Sequence, residues 1–191
     1  MSGLHCPVEG SPSGWVVRWA HLIPKGGRVL DLACGHGRHA KYLADRGHPV
    51  VACDRDAQAL ASFTGLAGIN PVFADLENGS PWPFERSGFS GVVVTNYLHR
   101  PLYPGIESAL APGGVLIYET FLLGNERYGK PSNPQFLLER DELLTAFGRD
   151  LQIVGFEQGR VERGKPALVQ RLCAMRSNLA DNDLETRDAP D

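Results

Sequence analysis

Short apolar segments alternate along the chain with segments whose apolar residues recur at helical spacing. Continuous apolar runs bounded by turn residues predict strands, and stripes at three- and four-residue spacing predict helices. The order β-α-β-α-β predicts an α/β fold, with a doubly wound parallel sheet and right-handed crossovers. The predicted strands cover residues 28–32, 49–53, 71–74, 91–95 and 115–119, and the predicted helices cover residues 12–23, 38–46, 56–63, 106–110 and 141–147.

The end of the chain follows a different pattern. Two further apolar segments, residues 151–157 and 167–175, are separated by only nine residues. A connection of that length is too short for a helical crossover, so these two strands are predicted to be antiparallel.

Length and charge indicate one domain followed by a short tail. A chain of 191 residues buries a sizeable core as a single domain, here assigned to residues 1–176. Residues 177–191 carry a net charge of −4 and few large apolar side chains, which predicts a disordered acidic tail. The remaining body is close to neutral, at +1, and lacks the basic footprint of a nucleic-acid-binding protein.

Cysteine usage and hydropathy favour a cytoplasmic location. The four cysteines are far apart and form no C-x-x-C pair, so neither a metal site nor a compact disulfide framework is expected. No apolar stretch reaches 18 residues, and the first twelve residues lack the hydrophobic region of a signal peptide. We therefore expect no membrane association and a reducing compartment.

The candidate chemistry begins after the first predicted strand, in Asp31-Leu-Ala33-Cys-Gly35-His-Gly37-Arg. The glycines let the backbone approach a ligand closely, and the helix that follows offers free N–H groups. This segment also fits the loose G-x-G-x-x-G/A dinucleotide fingerprint, with Asp54 near the position of a ribose-binding acid. An NAD-type oxidoreductase is therefore one interpretation of the loop.

Four features favour a cationic adenosine-containing ligand instead. Asp31 lies inside the strand, where a carboxylate would repel a pyrophosphate but attract an ammonium group. Asp75 places a third acid at a strand end, after Asp31 and Asp54. The segment Pro112-Gly113-Gly114 predicts a tight turn directly before the fifth strand, and the antiparallel pair closes the chain.

With these residues in this order, the chain resembles the class I S-adenosylmethionine-dependent methyltransferases. Within them it is similar to tellurite-resistance-type and related small-molecule methyltransferases. The resemblance extends from Val29 to about Met175, and it departs from the usual first motif in that Ala33 replaces the first glycine. It implies a Rossmann-like seven-stranded sheet in the order 3-2-1-4-5-7-6, with strand 7 antiparallel.

The resemblance also implies cofactor-binding roles. Asp31 would lie near the methionine amino group, and Gly35 and Gly37 against the carboxypropyl chain. Asp54 would bind the ribose hydroxyls, and Asp75 the adenine. Ala33, Arg55, Leu76 and Asn96 complete the expected cofactor-binding set.

Catalytic candidates follow the fourth strand, because ligands of open α/β sheets bind at the carboxyl ends of the strands. His99 is the preferred general base, since its ordinary pKa suits proton transfer near neutral pH. Asn96 and Tyr97 would orient the donor or the acceptor. An amino-methylating signature, Asn/Asp-Pro-Pro-Tyr/Phe, is typical at this point of other family members, and its absence disfavours base or amide N-methylation of that type.

The connection after the fifth strand is a second substrate-facing candidate. Residues 122–134 form a long stretch, and connections of that length usually work as lids or binding loops. Arg127 and Lys130, with Tyr128 between them, are predicted to hold an anionic acceptor. Glu119 is a candidate second base or cation ligand, and the N-terminal helix over residues 12–23 is a candidate lid.

The sequence thus predicts a cytoplasmic enzyme that transfers a methyl group from S-adenosylmethionine to a small molecule and releases S-adenosylhomocysteine. A monomer or a homodimer is expected. Two alternatives stay open: an NAD-type oxidoreductase, and a non-catalytic module that binds S-adenosylmethionine.

Overall fold

A single mixed β-sheet of seven strands organises the molecule. The computed structural model describes residues 10–163 and 165–178. The strand order is β3-β2-β1-β4-β5-β7-β6, with β7 antiparallel to both neighbours and the other pairings parallel. The predicted architecture and strand order are confirmed. The strands are β1 (Val29–Leu32), β2 (Val50–Asp54), β3 (Ile69–Phe73), β4 (Phe89–Thr95), β5 (Leu110–Phe121), β6 (Leu151–Arg163) and β7 (Lys165–Arg176).

Short helices connect the strands. Two of the five described α-helices begin at a side-chain cap: Ser13 caps the first, and the Asp56 side chain accepts hydrogen bonds from two backbone N–H groups of the third. The α-helices are α1 (Gly14–Trp19), α2 (Arg38–Ala44), α3 (Ala57–Ala61), α4 (Tyr103–Ala109) and α5 (Glu142–Phe147), and 3₁₀ turns cover Ala20–Leu22, Arg100–Leu102, Asn125–Arg127 and Pro134–Phe136.

Apolar clusters cover both faces of the central strands. On one face, α1 to α3 pack on side chains such as Val29, Val93 and Ile117. On the other face, α4 and α5 pack on alternate residues of the same strands, including Leu30 and Val94. Strands buried on both faces are continuously apolar, which explains why the central strands were recognisable as unbroken hydrophobic runs.

The Pro112-Gly113-Gly114 segment lies inside β5 and not before it. Leu110 pairs with Phe89 and Val115 with Gly91, so four residues of β5 lie opposite a single residue of β4. Gly113 takes a left-handed backbone conformation at φ +71° within this irregularity. The predicted turn is therefore a local bulge in a strand that begins five residues earlier than predicted.

The N-terminal helix is part of the core. Ser13 caps it by accepting a hydrogen bond from Trp15 N at 3.1 Å, and the Trp15 indole donates to the Leu172 carbonyl at 3.1 Å. Trp15 and Val16 are buried against the sheet. The helix begins two residues later than predicted, and its packing beneath the sheet does not support its predicted role as a lid.

A buried ionic network joins this helix to the sheet. The Ser13 hydroxyl donates to Glu119 Oε1 at 2.8 Å, and Glu119 Oε2 lies 2.7 Å from Arg171 Nε on β7. Glu119 is fully buried, whereas the Arg171 side chain is 16% exposed. Arg171 also pairs with Glu157, which in turn binds the exposed Arg18 of α1.

The predicted tail and the expected lack of membrane association can be compared with the structure only over the residues that it describes. Most of the acidic tail predicted over 177–191 lies outside them. Within the part of the chain that the structure describes, no helix is long and apolar enough to cross a membrane.

Replacing Arg171 by methionine tests how much the buried ion pair contributes to the stability of the fold. Arg171→Met leaves the Glu119 carboxylate buried beside an uncharged side chain, so we expect the free energy of unfolding to fall by about 3–5 kcal/mol. Arg18→Met is the matched control: it removes an exposed partner of Glu157 and is expected to cost at most about 1 kcal/mol. Urea denaturation measures both, and equal losses would contradict the assignment.

Candidate functional site

Two adjoining cavities lie where the parallel strands end. The first, which we call the acidic cavity, has a volume of about 350 Å³, and the second, the glycine-loop cavity, about 480 Å³. They share Ala33, Asn96 and Tyr97, so together they form one cleft. The acidic cavity is further lined by Asp54, Arg55, Ala74, Asp75, Leu76, Glu77, Leu98, Pro131 and Phe136. The glycine-loop cavity is further lined by Gly10, Cys34, Gly35, His36, Gly37, Arg38, His39, Lys41 and Thr95.

The loop after β1 reaches the cleft through left-handed backbone conformations. Ala33 and Gly35 both have φ near +53°, and Gly37 has φ +72°. Ala33 thus takes the conformation of the glycine that it replaces, at a cost of about 1 kcal/mol. A side chain at Gly37 would also collide with the Phe63 ring, so this position requires glycine both for its backbone and for the space beside it.

Asp54, at the end of β2, is held against this loop. Its Oδ2 accepts a hydrogen bond from Gly35 N at 2.7 Å, and its Oδ1 accepts one from Asp56 N at 2.9 Å. The carboxylate is therefore fixed at the boundary between the glycine loop and the acidic cavity. That position fits the predicted contact with a ligand crossing from one cavity to the other.

Asp31 is a buried carboxylate inside β1. The residue is 1% exposed, and neither carboxylate oxygen has a side-chain hydrogen-bond partner among the described residues. Burial raises the pKa of Asp31 to about 7, and the backbone N–H of Ala40 and, less strongly, the nearby Arg38 guanidinium oppose part of that rise. An unpaired buried carboxylate is costly, so the site is suited to a cationic partner.

The acidic cavity carries three carboxylates and one guanidinium. Arg55 lies 4.0 Å from Asp75 and 3.6 Å from Glu77, with its side chain largely exposed. Asp75 and Leu76 follow β3, as the strand pattern predicted, and both line the cavity with Asp54.

Tyr97 and Asn96 lie between the two cavities. Burial raises the pKa of the Tyr97 hydroxyl above its usual range, and the neighbouring Glu77 carboxylate raises it further. Tyr97 is therefore protonated at neutral pH, and its hydroxyl donates a hydrogen bond and is not a base. Asn96 is exposed, with φ +55°, at the sharp turn that ends β4.

His99 is not among the residues that line the cleft. It is half-buried and precedes the 3₁₀ turn Arg100–Leu102, and its carbonyl accepts a hydrogen bond from Leu102 N at 3.0 Å. A direct role as general base stays a prediction without support from the geometry.

Glu119 is also withdrawn from the cleft. Because it is fully buried between Ser13 and Arg171, its carboxylate already has an ionic partner and a hydroxyl donor. The cation that Glu119 binds is the Arg171 guanidinium, and Glu119 lines neither cavity. The geometry does not support its predicted role as a second base.

The long connection after β5 meets the cleft through other residues than those predicted. Arg127, Tyr128 and Lys130 are exposed and do not line either cavity, whereas Pro131 and Phe136 do. The Tyr128 ring instead lies 5.8 Å from the Arg160 guanidinium. Of the predicted stretch 122–134, only Pro131 lines the cleft, and Phe136 follows just beyond it, so the role of this connection in substrate binding stays a prediction.

His39 is a wall residue whose setting the sequence did not reveal. Its Nε2 accepts a hydrogen bond from Ser13 N at 3.0 Å, so in the neutral ring Nδ1 carries the proton and donates to Thr95 Oγ1 at 3.2 Å. Ser13 thus connects the start of α1 to the glycine-loop cavity. The Ser13–His39 contact joins residues separated by 26 positions in the sequence, and the His39–Thr95 contact joins residues separated by 56.

A cysteine thiol also lines the cleft. Cys34 lines the glycine-loop cavity, but burial raises the pKa of its thiol well above the usual range, so it is not a ready nucleophile. Among the residues that the structure describes, no cluster of three or more His, Cys, Asp or Glu side chains is placed to hold a metal ion.

Comparison with known proteins agrees with this geometry. Residues 29–114 match a family model described as a methyltransferase domain. TehB from Haemophilus influenzae superposes with a TM-score of 0.70 at 19% identity, covering 87% of this chain and 63% of that one. The predicted resemblance to the class I S-adenosylmethionine-dependent methyltransferases is confirmed, and the oxidoreductase alternative has no support from these matches.

Curated relatives match over part of their length. A phthiotriol/phenolphthiotriol dimycocerosates methyltransferase from Mycobacterium ulcerans is 32% identical over 56% of this chain and 42% of its own. A tRNA U34 carboxymethyltransferase from Methylococcus capsulatus is 27% identical over 76% of this chain and 49% of its own. The chain spans less than half the length of these relatives, and other matches are named as tRNA and ribosomal-protein methyltransferases.

Replacing Asp31 by asparagine tests its burial in the free protein. A carboxylate whose pKa rises from 3.8 to about 7 on folding costs no stability below pH 4, and the cost grows until the pH passes 7. We therefore expect stability to fall over this window by about 2–4 kcal/mol in the native chain, and Asp31→Asn to flatten that part of the profile. Urea denaturation at several pH values measures it. The exposed Asp45→Asn is the control, and an unchanged profile in Asp31→Asn would contradict the expectation.

Proposed function

We propose that this chain is an S-adenosylmethionine-dependent methyltransferase that acts on a small-molecule acceptor. The observation that carries the proposal is the buried carboxylate of Asp31, which has no side-chain hydrogen-bond partner among the described residues, beneath a loop of left-handed residues in a chain whose residues 29–114 match a methyltransferase domain.

The cleft fits S-adenosylmethionine at three places. Asp31 lines neither cavity itself, but it lies two residues before Ala33, which lines both, so the ammonium group of the methionine part would reach its carboxylate from beneath the glycine loop. Gly35 has open space where a side chain would stand, so the backbone there can lie against the cofactor. Asp54 would bind the ribose hydroxyls, and the carboxylate of Asp75 would accept from the adenine amino group, with Leu76 along the ring.

Catalysis would rest mainly on positioning. The cofactor, when bound, supplies a methyl group already activated by a sulfonium. The protein then needs to orient donor and acceptor and to exclude water, which are sufficient to remove much of a displacement barrier. Tyr97 and Asn96 stand where the two cavities meet, and the protonated Tyr97 hydroxyl would donate a hydrogen bond there.

The size of the cleft supports a small acceptor. The glycine-loop cavity, at about 480 Å³, lies within the range usual for small-molecule sites, and the methionine part of the cofactor would fill part of it, which leaves space only for a small acceptor. Its charged lining consists of Arg38 and Lys41, with His36 beside them, and none of its described lining residues is acidic. The near-neutral net charge of residues 1–176 does not favour RNA as the acceptor.

A non-catalytic cofactor-binding module is the second candidate. It is favoured by the positions of His99 and Glu119, since neither predicted base lines the cleft. Such a module would bind S-adenosylhomocysteine with the same residues and transfer no methyl group.

Thermal unfolding with S-adenosylhomocysteine tests cofactor binding. A ligand at 100 times its dissociation constant adds about 2.7 kcal/mol of stability, which corresponds to about 5–11 °C in Tm for a domain of this size. Asp54→Ala is expected to reduce this shift. An unchanged Tm would refute cofactor binding.

A methyl-transfer assay then distinguishes the acceptor classes. Labelled S-adenosylmethionine is incubated with the protein and, in separate reactions, with pooled small metabolites, tRNA or protein. Binding of the cofactor without transfer to any of them favours the non-catalytic module.

The affinity for S-adenosylhomocysteine is expected to depend on pH through Asp31. Below pH 7 the free protein holds a proton on this carboxylate, and the ligand ammonium must displace it, so binding weakens as the pH falls from 8 to 6. Isothermal titration calorimetry across this range measures the effect. Asp31→Asn should bind more weakly and with little pH dependence, and Asp45→Asn should match the native protein. An identical slope in Asp31→Asn would exclude this residue as the source.

A further inference from the structure

Phe136 is an exposed aromatic side chain at the acidic cavity. It is 46% exposed, although large apolar side chains are usually buried, and it lines the cavity together with Leu76, Leu98 and Pro131. These four side chains give an otherwise acidic cavity an apolar surface. A ligand that is both flat and rich in hydrogen-bond donors fits such a combination.

The backbone on both sides of Phe136 is held by one guanidinium. Arg100 Nη1 donates to the carbonyl of Gln135 at 3.0 Å, and Arg100 Nη2 donates to the carbonyl of Leu137 at 3.0 Å. Arg100 follows β4, so it connects the turn that ends β4 to the segment that carries Phe136. The planar guanidinium allows both contacts at once, which a lysine ammonium could not reproduce.

Glu142 fixes this guanidinium in turn. Its two carboxylate oxygens accept from Arg100 Nε and Nη2, each at 2.8 Å. The same oxygens accept from the Tyr103 hydroxyl at 2.9 Å and from Glu139 N at 2.8 Å. The pair is bidentate, with the Glu142 side chain 16% exposed and the Arg100 side chain 40% exposed, so solvent screens the guanidinium side more than the carboxylate side.

The rest of the segment is also anchored, by hydrogen bonds to β5 and within the 3₁₀ turn. Leu138 N donates to the Phe121 carbonyl at 2.8 Å, and Leu123 N donates to the Leu138 carbonyl at 2.9 Å, which ties the segment to the end of β5. Asn133 caps the 3₁₀ turn by accepting from Gln135 N at 3.0 Å. Phe136 is therefore presented on a preorganised support, an arrangement that lowers the cost of ordering on binding.

We propose that Phe136 supplies the aromatic face against which the purine ring of the cofactor binds, and that Arg100 is the residue that positions it. The inference rests on the proposed function, because it concerns the adenosine end of the same cofactor. A purine has a π face that suits Phe136, and the exocyclic amino group of adenine donates to carboxylates such as Asp75 and Glu77 in the same cavity.

Removing the ring tests the contact directly. Phe136→Ala should weaken S-adenosylhomocysteine and 5′-methylthioadenosine by the same factor, about tenfold to a hundredfold, because both carry adenosine and only the first carries an amino acid. Phe73→Ala is the control, since Phe73 is 65% exposed and does not line either cavity. Calorimetry measures the dissociation constants, and thermal unfolding confirms that both variants fold.

The outcomes separate this inference from the proposed function. If the native protein binds neither ligand, the proposed function fails. If it binds both and Phe136→Ala binds them equally well, only the purine contact fails. Weakening of S-adenosylhomocysteine alone would assign Phe136 to the amino-acid end and would also overturn the proposal.

A double-mutant cycle tests the positioning role of Arg100. Arg100→Lys keeps the charge but loses the paired donors, so it should weaken both ligands severalfold in the native background and not at all in the Phe136→Ala background. A purely structural role would lower Tm with unchanged dissociation constants. An equal weakening in both backgrounds would show that Arg100 does not act through Phe136.

Discussion

The central strands are covered on both faces, and this constraint determines where polar chemistry can stand. Apolar clusters pack against β1, β4 and β5 from either side, so polar groups concentrate where the parallel strands end. Two carboxylates are nevertheless buried within strands, Glu119 in β5 and Asp31 in β1. Glu119 has Arg171 as its ionic partner, whereas the burial of Asp31 raises the free energy of the folded state, a cost that the ammonium group of the proposed cofactor would offset.

The sequence predicted those parts of the site that arise from contiguous residues. The strand, the glycine loop and the acids at the ends of β2 and β3 are local patterns, so Asp31, Gly35, Gly37, Asp54 and Asp75 were recognised together. The strand order required the resemblance to a known family, because spacing alone does not determine which parallel strands are neighbours. The left-handed Ala33 shows that a motif position can keep its backbone conformation when its residue type changes.

Other parts depend on contacts between distant segments, which a single sequence does not contain. The guanidinium of Arg100 binds carbonyls 35 and 37 residues away, and no local pattern distinguishes it from the neighbouring His99. For Glu119 a signal did exist. Side chains alternate along a strand, so Glu119 shares a face with the buried Val115 and Ile117 and points toward the N-terminal helix. Residue type alone suggested a base, whereas the alternation indicated a buried structural acid.

The cleft combines two electrostatic environments around shared residues. The acidic cavity holds carboxylates beside an apolar edge, while the glycine-loop cavity carries Arg38 and Lys41. Different segments support the two cavities. The Ser13–His39–Thr95 contacts support the glycine-loop cavity, and the Arg100–Glu142 pair supports the Phe136 segment at the acidic cavity. Both sets of contacts join residues that are far apart in sequence, so the shape of the cleft depends on the complete fold.

The antiparallel direction of β7 has a practical consequence for handling the protein. Because Met175 pairs with Val115, in the first half of β5, β7 ends at the end of the sheet opposite the cleft. Gly10, by contrast, lines the glycine-loop cavity. A fusion partner or surface tether joined after residue 178 would therefore leave the cleft facing outward, whereas one joined before Gly10 would be delivered to its mouth.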